Sequence, residues 1–300
     1  MRSAASIKDK LKNRSKETGK TMLELLTLYG LERTLYRLSV SQYRDNFILK
    51  GGMLLYACFE GSFSRATTDI DLLASRLSND NDQIKEVFSE IFKVKADDPL
   101  VFDLSTLSVR SITEFKKYHG VSVSIVAYLD RTKIPVTIDV GYGDVVFPGR
   151  VEMEYPVILD DEPPCVFSYT ICSLIAEKFE AVVSLGYDNS RFKDFYDIYI
   201  LSNSCDFDGN ELKEAVRETF EYRHTTLSEI VAFEDGYGED PVRRMRWQAF
   251  IKKKKAMVSI SLEDAINALK VFLGPIVESL LNDIQPDKTW DHMRKAWISN

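Results

Sequence analysis

The residues best suited to do chemistry lie between Leu49 and Leu73, in LKGGMLLYACFEGSFSRATTDIDLL. Asp69 and Asp71 stand two apart in Asp69-Ile70-Asp71-Leu72-Leu73, which reads as a short strand. Alternation along a strand puts both carboxylates on one face. Two like charges a few ångströms apart repel unless a cation lies between them. Magnesium suits such a site, because it prefers oxygen ligands and shares its shell with substrate phosphates. The plainer reading is the polar face of a half-buried strand. Upstream, Gly51-Gly52 opens an apolar run from Met53 to Phe59, so bare backbone N–H groups at a helix start could face a phosphate. Arg65 precedes the aspartate pair. A third acid, Asp139, sits in the β-branched segment Ile134-Pro135-Val136-Thr137-Ile138-Asp139-Val140-Gly141. If that strand pairs beside the first, three carboxylates converge. Such a trio can hold two metal ions about 3.5–4 Å apart and clamp the attacking and leaving oxygens of a phosphoryl or nucleotidyl transfer. Asp144, after Gly143, reads as a turn residue.

A second window runs from Thr170 to Leu201. Lys178 falls inside an apolar helical stretch, where its plainest role is a snorkelling lysine. Arg191-Phe192-Lys193-Asp194-Phe195-Tyr196-Asp197 opens the next helix, with Asp194 and Asp197 sharing a face. Further on, Arg243, Arg244, Arg246, Lys252, Lys253, Lys254 and Lys255 form a basic run with Trp247 and Phe250 interleaved. It reads equally as a solvated helix face or as an RNA-binding surface whose cations follow phosphates. Lys8, Lys10, Lys12, Arg14, Lys16 and Lys20 read as a solvated amphipathic helix.

The elements that must position these groups divide the chain into three parts. Residues 5–43 read as helical, with Leu23, Leu25, Leu26, Leu28, Leu31, Leu35 and Leu38 on a broad apolar stripe. Residues 46–164 read as a mixed α/β core. Its helix at 80–95 turns Ile84, Val87, Phe88, Ile91 and Phe92 to one side, and strands lie at 101–112, 121–129 and 136–140. After Pro163-Pro164 the chain reads as helical, over 170–185, 193–201, 208–222, 242–257, 262–283 and a short C-terminal piece. The expected domains are therefore 1–45, 46–164 and 165–300.

The composition is that of a folded globular chain: 300 residues, 45% hydrophobic and 28% charged. No stretch approaches the roughly 18–20 apolar residues of a membrane span, and Met1 to Lys20 lacks the apolar segment of a secretion signal. The four cysteines, Cys58, Cys165, Cys172 and Cys205, show no CxxC spacing, so reduced thiols in a cytoplasm are expected. The three histidines, His119, His224 and His292, lie far apart, which speaks against a zinc site or a Ser-His-Asp hydrolase.

Five motifs occur in order: KGG, then R-x-T-x-D-x-D, then a strand with I-D-V-G, then A-E-K-x-x-A, then R-x-K-D-x-x-D. Together, from about Leu31 to Leu201, they resemble the AbiEii/AbiGii and MenT group of nucleotidyltransferase toxins in the DNA polymerase β-like superfamily. The resemblance implies an α+β fold with a mixed sheet, flanked by an N-terminal helical segment and a C-terminal helical domain. It implies magnesium on Asp69 and Asp71, with Asp139 as third acid. It assigns nucleotide contacts to Gly51, Gly52, Arg65, Thr67, Lys178 and Arg191, and makes Lys178 and Asp194 catalytic, Asp194 or Asp139 orienting the acceptor hydroxyl. Its phosphate loop usually carries a serine after the glycines. Met53 stands there instead, so this loop would act through backbone N–H groups. The resemblance further implies an NTP substrate, a tRNA 3′ end as acceptor or, in some members, a protein Ser or Thr, and a cognate antitoxin in a type IV-like phage-defence system. An inactive fold serving as a binding module is the rival reading.

The net charge of −7 looks unfavourable for RNA, but its distribution is uneven. Residues 1–50 carry 11 bases and 5 acids, residues 51–240 carry 17 and 35, and residues 241–300 carry 11 and 6. The acidic middle would hold metal, and two basic ends would meet nucleic acid, with binding that weakens steeply with salt.

Overall fold

The computed structural model describes residues 2–62, 67–114, 118–227, 229–253 and 258–299. Two compact units emerge, one of residues 1–144 and 150–169, the other of residues 145–149 and 170–300.

In the first unit the N-terminal helical stretch is two helices rather than one, α1 (Ala4–Thr18) and α2 (Met22–Ser39). Gly19 takes the left-handed conformation that ends α1. Thr21 and Glu24 then close a capping box that restarts the chain as α2. Strand β1 (Phe47–Lys50) runs directly into helix α3 (Gly51–Cys58). Next come β2 (Ile70–Ala74), α4 (Asn81–Lys93), β3 (Leu100–Glu114), β4 (Tyr118–Leu129), β5 (Thr132–Tyr142), β6 (Val151–Glu154) and β7 (Cys165–Ser168). They build a mixed seven-stranded sheet in the order β3-β4-β5-β2-β1-β7-β6. Here β2 is parallel to β5, β1 is parallel to β7, and the remaining pairs are antiparallel. This is the mixed α/β architecture that the α+β reading expects.

One face of β5 is buried (Ile134, Val136, Ile138, Val140) and meets α2 so closely that a Cβ on Gly30 would lie 2.7 Å from Ile134 Cγ2. The opposite face carries Thr137, Asp139 and Gly141, all partly exposed. The sheet thus presents an apolar side to its helices and a polar side where the carboxylates stand. Pro135 is accommodated because the ladder between β2 and β5 covers only residues 138–142 of β5 and asks no hydrogen bond of Pro135. The basic residues of α1 are held locally: Lys10 pairs with Asp160 at 2.8 Å and Lys8 with Asp130 at 3.3 Å.

The second unit contains α5 (Ile171–Leu185), α6 (Phe192–Ser202), β8 (Phe207–Asp208), α7 (Gly209–Tyr222), α8 (Pro241–Lys253) and α9 (Leu262–Leu281). Strands β9 (Lys288–Asp291) and β10 (Ala296–Ser299) follow. The C-terminal piece is therefore a hairpin, not a helix, and with β8 it forms a three-stranded sheet. Its tryptophans explain the difference. Trp290 and Trp297 both pack on Phe272 of α9, at centroid distances of 4.9 and 5.9 Å, and Trp290 Nε1 donates to the Ser202 carbonyl at 2.7 Å. Extended backbone lets both rings reach one partner. Among the described residues no helix is long and apolar enough to cross a membrane.

Candidate active site

Sheet register assembles the site in the first unit. Asp71 of β2 lies opposite Asp139 of β5, and Asp69 is two residues before Asp71. One oxygen from each of Asp69, Asp71 and Asp139 lies within 4.8 Å of the others, and all three residues are half-buried. The condition left open by the sequence, that β5 pair beside β2, is met.

The same register extends outward from the two facing aspartates. Lys50 of β1 opposes Asp71, Ser122 of β4 opposes Asp139, and Arg110 of β3 opposes Ser122. Directly paired residues share a face, so Arg110, Ser122, Asp139, Asp71 and Lys50 form one row across five strands. Both aspartates of the row accept a hydrogen bond from a neighbouring element. Ser122 Oγ donates to Asp139 Oδ1 at 2.6 Å, and the Gly52 backbone N–H donates to Asp71 Oδ2 at 3.3 Å. Gly51 has a φ of 65°, and a Cβ built on it would fall 1.9 Å from Asp71 Oδ2. Only glycine allows α3 to begin against that carboxylate. The Gly-Gly start of the helix is thus directed at Asp71, consistent with the positive end of a helix favouring an anion.

The sequence alone does not assign Arg110, Ser122 and Lys50 of this row, or Asp144 beside it, to the site. Lys50 pairs with Asp144 at 3.0 Å and sits over the Tyr169 ring at 5.6 Å. Asp144, read as a turn residue, is largely buried and also accepts from the Tyr169 hydroxyl at 3.5 Å. Each of these residues depends on strand pairing, and the only local signal was the position of Lys50 beside Gly51. Thr67 is buried, and its hydroxyl has no hydrogen-bond partner among the described residues. Arg65 lies outside the described residues.

In the second unit, Lys178 of α5 reaches Asp194 at 3.2 Å and Asp197 at 2.7 Å, and Arg191 reaches Asp194 at 2.8 Å. Lys178, Asp194 and Asp197 are all buried. Burial pushes the Asp194 carboxyl up, but Lys178, Arg191 and Lys193 outweigh it and hold the group below the usual carboxylate range. Lys178 is therefore no snorkelling lysine. It is the cation that joins α5 to α6.

The basic run on α8 is divided in use. Arg243 lies over the Tyr237 ring at 4.4 Å, and Arg244 pairs with Glu263 at 2.9 Å. Trp247 is buried, donating to the Ile260 carbonyl at 2.7 Å, and Phe250 packs on Tyr196. These aromatics face inward. Arg246, Lys252 and Lys253 are exposed, whereas Lys254 and Lys255 lie outside the described residues.

Three carboxylates, with no sulfur or imidazole among them, make a hard oxygen donor set that fits a divalent cation such as magnesium or manganese. No curated protein matches the sequence. Among solved structures the chain is similar to JHP933 from Helicobacter pylori, with 15% identity, 85% of this chain and 92% of that one covered, and a TM-score of 0.46. It is also similar to an H. pylori protein provisionally named a nucleotidyltransferase, with 15% identity, coverage of 84% and 94%, and a TM-score of 0.47. The profile of the family described as nucleotidyl transferase AbiEii toxin, type IV toxin–antitoxin system, matches residues 33–268. That span includes the carboxylate trio, its glycine loop and the Lys178–Asp194 pair, so the chain belongs to the AbiEii family of nucleotidyltransferase toxins, whose system implies a cognate antitoxin.

Proposed function

We propose that the chain is a magnesium-dependent nucleotidyltransferase toxin that transfers a nucleotide from an NTP to the 3′ end of tRNA. The observation that carries this reading is the convergence of Asp69, Asp71 and Asp139 within 4.8 Å on the open face of the sheet. These three would hold the metal, which when bound would neutralise triphosphate charge and polarise the α-phosphorus. The N-terminus of α3 at Gly51-Gly52, the buried Thr67 hydroxyl and Arg65 are the groups proposed to bind the phosphates. Asp139 is proposed to orient the attacking hydroxyl and take its proton. That oxygen bonds to the α-phosphorus as the bond to the pyrophosphate oxygen breaks. On α8 the proposed RNA contacts narrow to Arg246, Lys252 and Lys253, since Arg243 and Arg244 are engaged within their unit. A tRNA acceptor would place the protein in the cytoplasm.

The test is incubation with total tRNA and each labelled NTP in turn, with magnesium or with chelator. Label on tRNA 3′ ends, lost with chelator and in Asp69→Ala, supports the reading. No labelled RNA with any NTP, or transfer that survives Asp69→Ala, overturns it.

A further inference from the structure

We infer that Ser122 is a positioning residue for the carboxylate trio, holding Asp139 in place from the strand beyond it. This rests on the proposal that the trio binds a divalent cation. Asp139 stands between two neighbours in register, Asp71 on β2 and Ser122 on β4. The Asp71 side is repulsive, and a carboxylate on a strand can relieve that repulsion by rotating away. The Ser122 side is attractive. Its hydroxyl donates to Asp139 Oδ1 at 2.6 Å, a short, well-formed O–H···O bond. A bond of this kind fixes the rotamer of a ligating carboxylate before the metal arrives. Asp71 has an equivalent support from the opposite side, the Gly52 N–H at 3.3 Å. The two facing acids are thus each held by a donor from a neighbouring element, β4 for one and the start of α3 for the other.

The neighbouring hydroxyls supply the contrast. Ser124 lies on the same strand and the same face, two residues on, and its Oγ is 2.8 Å from Ser108 Oγ, one row away from the facing pair. The two serines are therefore not equivalent: Ser122 bonds to a member of the trio, and Ser124 to Ser108.

The experiment measures Mn²⁺ affinity of the full chain by electron paramagnetic resonance of free ion, alongside kcat and the KM for NTP. Ser122→Ala is expected to weaken Mn²⁺ binding about 10–100-fold and lower kcat in parallel. The KM for NTP at saturating metal should stay near the wild-type value. The isosteric pair Ser122→Thr and Ser122→Val isolates the hydroxyl: Thr restores affinity and Val does not. Ser124→Ala should bind Mn²⁺ like the wild type. Wild-type affinity in Ser122→Ala or Ser122→Val, or an equal loss in Ser124→Ala, overturns the inference while leaving the metal site standing. A wild-type chain that binds no Mn²⁺, or an Asp139→Asn variant with undiminished affinity, overturns the metal-site reading and this inference with it.

Discussion

Each unit gathers aspartates into a cluster, and the clusters differ in what surrounds them. In the second unit Asp194 and Asp197 are wholly buried, each within 3.2 Å of the Lys178 ammonium, and Arg191 adds a second cation to Asp194. In the first, Asp69, Asp71 and Asp139 are half-exposed and stand within 4.8 Å of one another. Buried carboxylates persist only when matched by cations, because an uncompensated charge in the interior costs several kcal/mol. Half-exposed ones can remain close together, since solvent reduces each repulsion at 4 Å to about 1–4 kcal/mol. A buried, balanced cluster joins helices. An open, crowded one presents oxygen donors that could hold a divalent cation.

The comparison can be broken at either cluster. Lys178→Met keeps the apolar stem and removes the charge, so Asp194 and Asp197 lose their shared partner. The expected destabilisation is about 3–5 kcal/mol, read by urea unfolding. A loss below about 1 kcal/mol would show that the ion pairs are incidental to the fold. The Asp194 carboxyl is held low in the folded chain, so its contribution is present above pH 3.8, its ordinary value, and disappears as pH falls further.

Asp71→Asn should behave in the opposite sense. Removing one of three crowded charges should leave stability unchanged or slightly raised, while nucleotide transfer falls about 10³-fold, or about 4 kcal/mol. Unfolding of this variant under native conditions would mean that the trio is a structural cluster like the other. Gly51→Ala probes the same site through the backbone. Its Cβ has nowhere to go but into Asp71 Oδ2, and the left-handed φ of 65° adds strain. A cost of about 2–3 kcal/mol in stability is expected, with weaker metal binding. Gly19→Ala shares the positive φ but has open space around it, and should cost only about 1 kcal/mol.

What could be read from the chain follows the range of the interactions. The Asp69–Asp71 pair was plain from its spacing, although Asp69 stands at a bend just before β2 and not in the strand. The Gly51-Gly52 helix start was equally plain. Asp139 needed the order of the strands, and could be stated only as a condition. Ser122, Lys50 and Asp144 depend on register across four strands, which no local pattern encodes. The break at Gly19 was visible in the Gly and the Thr21-x-x-Glu24 box, but helix-forming composition on both sides masked it. The C-terminal hairpin was missed because Trp290 and Trp297 answer to Phe272 in α9, not to their neighbours in sequence. The ion pairs of Lys178 were hidden for the same reason. Its partners lie on the next helix, and their i, i+3 spacing was the available clue.

The pH dependence of stability tests whether cation count sets the sign of a buried acid's shift. Asp194, facing Lys178, Arg191 and Lys193, is held low. Glu32 of α2 is as deeply buried but faces Arg33, with Asp161 as a further acid; burial pushes its carboxyl up to about 7 despite Arg33 and the Ile158 N–H. Between pH 4.5, its ordinary value, and about 7, the folded chain therefore holds a proton on Glu32 that the unfolded chain has lost. Glu32's contribution to stability therefore falls as pH rises through that window and levels off above it. Unfolding free energies measured from pH 5 to 8 should show Glu32 contributing a decline of about 2–3 kcal/mol, and Glu32→Gln should remove that part. If the wild-type and Glu32→Gln curves run parallel, Glu32 is ionised throughout, and one arginine suffices to hold a buried carboxylate charged.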